Sequence, residues 1–221
     1  MPLDPDFIYD PPQSALETLY EDIDLIAINK PAGLLSVMGR LPEHQDSAYW
    51  RILQKFPQAK VLHRLDMATS GILIFAKHRE SEVAMSRQFQ QRTIEKTYIA
   101  LVQGKLDGMG MIDVPLIADW ENRPRQKIDY KIGKSAQTQY QAMQYRAEYD
   151  CTEVLLHPIT GRSHQLRVHM MHLGHPIVGD KIYNPQAKNA HTAQMALHAS
   201  QLKFTHPLQN HEILINSQAN F

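Results

Sequence analysis

The sequence of 221 residues lacks several features that define common protein classes. Its one cysteine, Cys151, cannot form an internal disulfide. The amino terminus MPLDPDFIYDPP has neither a basic start nor an apolar signal core, and no apolar run reaches the length of a membrane span. With 43% hydrophobic and 21% charged residues, the chain has the composition of a globular enzyme, and we expect it in the cytoplasm.

Motifs for common cofactors and hydrolytic sites are also missing. The sequence has no GxGxxG, GxxxxGK[ST] or GxSxG, so nothing predicts a dinucleotide, a nucleoside triphosphate or a hydrolase serine. Four histidines lie close together, at His164, His169, His172 and His175, which is one pattern for metal ligands. No HExxH or CxxC accompanies them, so a metallohydrolase is the least favoured alternative. We therefore predict neither a metal nor an organic cofactor.

The charge is balanced overall but unevenly distributed. The chain has 23 basic and 23 acidic residues, and residues 1–29 hold seven of the acids and no lysine or arginine. Residues 30–221 therefore carry an excess of seven positive charges. Five basic residues against two acids fall in ENRPRQKIDYKIGKS (121–135). Such a cluster is most often a solvated surface, although it also suits an RNA backbone.

Periodicity predicts an alternation of strands and helices. Leu25–Ile28 and Ile72–Ala76 have the continuous apolar character of buried strands, and Ser47 is placed to cap a helix over residues 49–56. The remaining expectations are a helix at 81–92, a strand at 96–102, a long loop within 103–135, two antiparallel strands at 138–157, a helix capped by Ser163 and ending at Gly174, and a hairpin near Pro207 and Asn210.

One carboxylate is unusual in its surroundings. Asp66 lies between Leu65 and Met67, six residues before the apolar run that begins at Ile72. A carboxylate that leads into a core has to be solvated, paired or used in chemistry. With Thr69 and Gly71 nearby, it could simply be a turn residue.

The segment around Asp66 resembles the signature of a known family. HRLDMATSG (63–71) and GRSHQLRVH (161–169) resemble the paired motifs of the RluA-type pseudouridine synthases, and NKPAGLLSVMGR (29–40) and KTY (96–98) resemble two further family segments. The resemblance implies an α+β fold with a mixed, largely antiparallel central sheet, surrounding helices and a catalytic cleft across the middle. It also implies a single catalytic domain over residues 1–221, without a separate amino-terminal RNA-binding domain.

The resemblance assigns roles to individual residues. Asp66 is the expected catalytic residue, Tyr98 the group that removes a proton from the base, and Arg167 the partner that pairs with Asp66. Arg64 is expected to contact a phosphate or to fill the gap left by the flipped base. The full set of expected RNA-binding residues is His63, Arg64, Arg123, Arg125, Lys127, Arg162, His164 and Gln165.

The substrate is also inferred by resemblance. Segments 36–44, 119–127 and 133–138 look most like dual-specificity members, which modify a tRNA anticodon stem-loop and a 23S rRNA hairpin. This implies a monomer that isomerises uridine in structured RNA loops, with no membrane partner. The alternative is a non-catalytic, ribosome-associated RNA-binding module. The presence of Asp66, Tyr98 and Arg167 together argues for the enzyme.

Overall fold

The computed structural model describes residues 8–187 and 192–221 and divides the chain into two compact units. The Asp66 unit comprises Tyr9–Lys96 and His198–Asn220, and the Arg167 unit comprises Thr97–Leu197 together with Ile8 and Phe221. Two of the acids noted above, Asp4 and Asp6, lie outside the described residues. Across those residues, no helix combines the length and apolarity needed to cross a membrane.

The Asp66 unit is built on a mixed sheet. Its strands are β1 (Glu17–Glu21), β2 (Leu25–Lys30), β3 (Lys60–Val61), β4 (Ser70–Ala76), β11 (Leu197–Thr205) and β12 (Glu212–Asn216). Strand β4 pairs antiparallel with β2 and β3 and parallel with β11, while β1–β2 and β11–β12 are antiparallel hairpins. The predicted terminal hairpin is confirmed as β11–β12.

Strand β4 is the centre of this unit because all seven of its residues are buried. Alternate side chains of a strand point to opposite faces, so such a strand needs cover on both. Ile72 and Ile74 pack with Met85 of helix α2 (Arg79–Gln91). On the other face of the strand, Phe75 stacks on Tyr49 of helix α1 (Ala48–Lys55), with ring centroids 6.0 Å apart. Ser47 caps α1 as predicted, since its hydroxyl accepts the Trp50 N–H.

Gly71 is required where β4 runs beside β11. Its φ is +108°, and a Cβ atom there would lie 2.6 Å from the Ala199 nitrogen and closer still to the Ala199 oxygen. Only glycine tolerates both the backbone conformation and the approach. The glycine of the TSG sequence thus permits the parallel pairing of Ser70 with His198 and of Gly71 with Ala199.

The Arg167 unit contains an antiparallel sheet in the order β5–β10–β9–β6. The ranges are β5 (Glu95–Gln103), β6 (Met109–Asp113), β9 (Gln137–Arg146) and β10 (Cys151–Pro158). A separate hairpin joins β7 (Leu116–Ala118) to β8 (Gln126–Ile128), and helix α3 (Gln165–His172) follows β10. The two strands predicted within 138–157 are confirmed as β9 and β10, with Asp150 at φ 44° in their connection.

Two local expectations are wrong. Residues 103–135 form strands β6, β7 and β8 rather than one long loop, because Met109–Asp113 pairs along β9 and so satisfies its backbone. The N-cap position of helix α3 is His164 and not Ser163; His164 has the left-handed conformation at φ 55°, and its side chain makes no capping hydrogen bond. The α+β class and the mixed, largely antiparallel pairing are confirmed, with the parallel pairing of β4 and β11 in the Asp66 unit and antiparallel pairing in the sheet of the Arg167 unit.

Candidate active site

The loop that carries Asp66 is fixed by the residues on either side of it. The Leu65 N–H donates to the Ser36 hydroxyl at 3.0 Å, and that hydroxyl donates to the Leu65 oxygen at 2.7 Å. The Met67 oxygen accepts the Gly33 N–H at 2.8 Å. Asp66 itself closes a turn, since its carbonyl accepts the Thr69 N–H at 3.1 Å. The carboxylate, which is partly exposed, therefore extends from a backbone with little freedom.

Lys30 links the NKPAG segment to this loop by hydrogen bonds. Its side chain is fully buried, and Nζ donates to the oxygens of Pro31 at 2.9 Å, Leu34 at 2.7 Å and Met67 at 3.2 Å. Three carbonyl acceptors match the three donors of a lysine ammonium. Burial lowers the pKa of Lys30 to about 7, and the negative charge of Asp66 acts in the opposite direction. The Asp66 loop is thus bonded to a buried lysine whose ammonium form uses all three of its donors.

His63 begins the same loop in a neutral form. Its Nε2 accepts the Ile74 N–H at 3.2 Å, and its ring stacks on Phe89 with centroids 5.3 Å apart. Burial, with a smaller contribution from the charge of Lys96, lowers the pKa of His63 to about 3. Arg64, the next residue, is exposed. The two neighbours therefore differ, because His63 anchors the loop to β4 whereas Arg64 presents its charge to solvent.

Tyr98 lies on β5, where it is half-buried and paired across the ladder with Leu156 of β10. The neighbouring Thr97 hydroxyl and the Nδ1 atom of His157 are 3.2 Å apart. Antiparallel pairing on β10 holds the Tyr98 backbone in register from Tyr98 to Gln103. The predicted KTY segment is therefore a strand, as expected.

Arg167 forms a buried ion pair within its own unit. Its Nε and Nη2 atoms donate to the two carboxylate oxygens of Asp180 at 2.7 and 2.8 Å. Asp180 also accepts the N–H groups of Ile182 and Tyr183, and the two charged side chains are 4% and 0% exposed. A bidentate pair of this kind fixes the plane of the guanidinium. The expected pairing of Arg167 with Asp66 concerns residues of different units and stays a prediction.

The start of α3 is held by Gln165. Its amide oxygen accepts the Arg162 N–H and the Thr160 hydroxyl, and its amide nitrogen donates to the Gln137 oxygen and the Thr138 hydroxyl. The side chain is buried and all its hydrogen-bonding positions are used. The RNA contact expected of Gln165 stays a prediction, and it would have to replace one of these hydrogen bonds. Arg162 is exposed, with its Nε atom bonded to the Ser135 oxygen at 3.1 Å.

The basic cluster of residues 121–135 surrounds the tip of the β7–β8 hairpin. Arg123, Arg125 and Lys127 are all exposed, and the Arg123 guanidinium stacks 3.1 Å above the centre of the exposed Trp120 ring. Asp129 accepts the N–H groups of residues 132 and 131, and these hydrogen bonds lower the pKa of its carboxyl, so an ionised acid lies among the cations. An arginine, an aromatic ring and further cations thus share one exposed tip.

The four clustered histidines have different partners. Nδ1 of His164 bonds to the Tyr183 hydroxyl, Nδ1 of His169 to the Thr138 hydroxyl, and Nδ1 of His175 to the Gln103 oxygen. Burial lowers the pKa of His169 to about 4. The rings of His164, His169 and His175 are therefore each bonded to a different residue, which is not how ligands of one ion are arranged.

A different group of possible metal ligands lies in the Asp66 unit. Side-chain atoms of Asp22, Asp24 and His206 lie within 4.8 Å of one another. The Nδ1 atom of His206, however, accepts the N–H groups of residues 208 and 209, so Nε2 carries the proton that is shared with Asp22 at 2.9 Å. Metal binding would require that proton to leave and the ring to act as an anion. We read the group as a hydrogen-bonded tie between the β11–β12 turn and the β1–β2 turn.

The match to a family model decides the class of the protein. The model, described as RNA pseudouridylate synthase, matches residues 24–172, which include Asp66, Tyr98 and Arg167. The chain belongs to the RNA pseudouridylate synthase family. It is accordingly an isomerase that acts on RNA. Asp180 and Tyr183, which contact Arg167, lie beyond the matched segment.

Individual relatives agree with the family match. The chain is 47% identical over 215 residues to "Dual-specificity RNA pseudouridine synthase RluA" of Escherichia coli (strain K12), covering 96% of this chain and 98% of the relative. A relative of the same description from Yersinia pestis is 53% identical over 191 residues, covering 86% and 92% of the two chains.

A solved structure, "Human RNA Pseudouridylate Synthase Domain Containing 1", superposes with a TM-score of 0.78 at 28% identity, covering 95% of this chain and 86% of that one. The family resemblance and the fold class inferred from the sequence are therefore confirmed.

Sequence reasoning missed three residues that support the site. Lys30 was read only as part of a family segment, although a lysine that ends an otherwise apolar strand signals a buried cation. Asp180 and Tyr183 follow the GRSHQLRVH segment in the sequence, but nothing in their spacing indicates that they contact Arg167. The catalytic and RNA-binding roles of the individual residues remain predictions.

Proposed function

We propose that the protein is a dual-specificity pseudouridine synthase that modifies both a tRNA anticodon stem-loop and a 23S rRNA hairpin. The observation that carries the proposal is its 47–53% identity to relatives that are described as dual-specificity enzymes, over nearly the whole length of both chains. A single compact protein can act on two RNAs if it recognises a loop shape that both adopt, and single-stranded loops are where uridines are most easily extruded.

Asp66 is the catalytic residue in this proposal. The reaction breaks the bond between ribose C1′ and N1 of uracil and forms a bond from C1′ to C5, while a proton moves from C5 to N1. Atoms and electrons balance without any added reactant. Asp66 attacks the ribose or the ring, or removes a ribose proton, and each route needs an ionised carboxylate in a fixed position. The hydrogen bonds to Leu65 and Met67 support this role because they fix the backbone on both sides of Asp66.

Tyr98 and Arg167 complete the proposed catalytic set. Tyr98 stacks on the flipped uracil and takes the C5 proton, which a phenol at the end of an aromatic ring can do. Arg167 supplies a fixed positive charge that favours the ionised form of Asp66. Arg64 contacts a phosphate or occupies the space that the base leaves. The exposed cations of the β7–β8 hairpin follow the RNA backbone.

The test uses two transcripts, an anticodon stem-loop and an rRNA hairpin, each incubated with purified protein and assayed for pseudouridine by mass spectrometry. We expect product in both. Asp66→Asn is expected to abolish product in a single turnover while RNA affinity stays within about threefold, since a neutral amide replaces the carboxylate without a change of volume. Asp107→Asn is the matched control, because Asp107 is an exposed carboxylate paired only loosely with Lys105, at 3.7 Å.

The outcomes separate the parts of the proposal. Product in one RNA only would reduce it to a single-substrate enzyme, and binding without product in any cellular RNA would favour the non-catalytic module. Substantial single-turnover activity of Asp66→Asn would remove Asp66 from the catalytic role. The monomeric state and the cytoplasmic location remain predictions, and sedimentation and cell fractionation test them.

A further inference from the structure

Tyr183 is buried at a point where three parts of the Arg167 unit meet. Its hydroxyl oxygen lies 2.7 Å from the backbone nitrogen of Gln126, which begins strand β8, and 2.7 Å from Nδ1 of His164, which caps α3. Its ring packs edge-on against the His164 ring and faces the guanidinium of Arg167 at 5.1 Å. Tyr183 is 3% exposed. One phenol therefore connects the basic hairpin, the cap of α3 and the paired arginine.

The direction of the hydrogen bond to His164 follows from acid–base chemistry. The Gln126 N–H can only donate, so it occupies a lone pair of the Tyr183 oxygen. Between a phenol and a neutral imidazole, the phenol is the stronger acid and the imidazole nitrogen is the better acceptor. The guanidinium of Arg125, 5.6 Å from the centre of the Tyr183 ring, further favours the phenol as donor. Nδ1 of His164 is thus the acceptor, and the ring proton is on Nε2.

The surroundings of His164 favour a negatively charged acceptor for that proton. His164 stands at the amino terminus of the eight-residue helix α3, where backbone N–H groups and the helix dipole give a positive potential. Arg162 is exposed two residues before it, and the Arg125 guanidinium lies 5.6 Å from the centre of the Tyr183 ring. His164 is itself only partly buried, in an unusual left-handed conformation that keeps the ring beside Tyr183. An RNA phosphate matches this environment.

We propose that Tyr183 is a positioning residue that holds His164 as the Nε2–H tautomer, so that His164 donates a hydrogen bond to a phosphate oxygen of bound RNA. The inference rests on the proposed function, because it assumes an RNA substrate at this face. It assigns to Tyr183 a role through His164 rather than a contact with the reacting uridine. It also explains why a residue with a Cβ atom occupies a left-handed position where glycine or asparagine would be less strained.

Two substitutions of His164 separate the proposed role from simple packing. The amide nitrogen of glutamine reaches the position of Nε2, whereas the amide of asparagine reaches only the position of Nδ1. Asparagine also suits the left-handed conformation and still offers an oxygen to the Tyr183 hydroxyl, so His164→Asn is expected to fold with an unchanged melting temperature. We expect His164→Gln to bind the anticodon stem-loop within about twofold of the unmodified protein. His164→Asn should bind about tenfold more weakly, the effect of losing one hydrogen bond to a charged acceptor.

The tautomer is measured directly by nitrogen NMR of histidine-labelled protein. In the unmodified protein, we expect His164 to show a protonated Nε2 and an unprotonated Nδ1. Tyr183→Phe should shift this tautomer balance and weaken RNA binding, although it leaves the Asp66 side chain in place. The dinucleotide UpU should move the Nε2 resonance, whereas the nucleoside uridine, which lacks a phosphate, should not. A protonated Nδ1 in the unmodified protein, or equal RNA affinity of His164→Gln and His164→Asn, would overturn the inference.

The pseudouridine assay on the unmodified protein keeps the two proposals apart. If the unmodified protein forms no pseudouridine in either transcript, the proposed function fails whatever the NMR result. If it forms product and His164→Asn binds RNA as tightly as the unmodified protein, only the inference about Tyr183 and His164 fails. A response of the Nε2 resonance to uridine alone would replace the phosphate by a base or sugar oxygen and would also refute the proposal as stated.

Discussion

Replacing Asp180 by asparagine tests how far the Arg167 guanidinium depends on its buried partner. The substitution preserves the shape of the side chain and removes its charge. One amide oxygen can still accept the N–H groups of Ile182 and Tyr183, but the amide nitrogen then faces the guanidinium donors. Two hydrogen bonds of 2.7 and 2.8 Å are reduced at best to one, and a positive charge that is 4% exposed loses its counter-charge.

The expected loss of stability is large because both side chains of the pair are buried. Breaking a buried ion pair by removing one partner costs about 3–5 kcal/mol, since the remaining charge stays desolvated. For a protein of this size, that loss corresponds to a fall in melting temperature of roughly 6–20 °C. Pseudouridine formation should fall as well, even at temperatures where the variant is folded, because the arginine is no longer held in one plane.

Denaturant unfolding of Asp180→Asn and of a matched control measures the effect. Glu212→Gln makes the same chemical change in an exposed pair, with Lys203 at 3.0 Å, and should cost less than about 1 kcal/mol. A double-mutant cycle with Arg167→Met should give a coupling of roughly 1.5–3 kcal/mol. If the free energy of unfolding of Asp180→Asn is within about 0.5 kcal/mol of that of the unmodified protein, the buried pair does not stabilise this unit and the prediction is wrong.

Three further predictions address catalysis, RNA binding and acid stability. Tyr98→Phe keeps the stacking ring, so RNA affinity should hold while the single-turnover rate of pseudouridine formation falls at least about a hundredfold; a near-normal rate would mean that another base takes the proton. Changing both Arg123 and Arg125 to glutamine should flatten the slope of log affinity against log salt by roughly two units, and an unchanged slope would make the cluster an ordinary solvated surface. The third concerns His169, whose pKa is about 4 in the folded protein and about 6.5 in the unfolded chain, so the unfolded chain binds more protons between these values. His169 alone should therefore lower the free energy of unfolding by about 3 kcal/mol between pH 6.5 and 4, and His169→Asn should reduce the fall seen in the unmodified protein by that amount in pH-dependent denaturant unfolding, with His63 still contributing to the remainder.

Elements with continuous apolar runs or clear caps could be predicted from the sequence. Strand β4 and helix α1 are examples, because burial on both faces and a serine cap leave local signals. The β7–β8 hairpin gave no such signal. Its strands have three residues each, and its tip is dominated by charge and proline, so composition alone resembles a loop.

The candidate site was predictable in part for a related reason. Asp66 is conspicuous because a carboxylate next to an apolar run demands an explanation, and the family motifs supply one. The contact of Asp180 with Arg167 depends on how the chain returns after Gly174, which no periodicity encodes. The cap of α3 was misplaced by one residue because a serine is the usual choice, whereas the contact with Tyr183 holds His164 in a conformation that local preference disfavours.

The parallel pairing of β4 with β11 has a consequence for synthesis. Ser70 and His198 are hydrogen-bonded across 128 positions of sequence, and the whole of Thr97–Leu197 lies between the two parts of the Asp66 unit. A ribosome that adds residues one at a time completes the Arg167 unit first and leaves β4 without its parallel neighbour until residues 198–205 emerge. Until then, one edge of a strand that is entirely buried in the folded protein has no backbone partner from β11. Nascent chains of this enzyme should therefore bind chaperones longest in the interval between the synthesis of β4 and the release of β11.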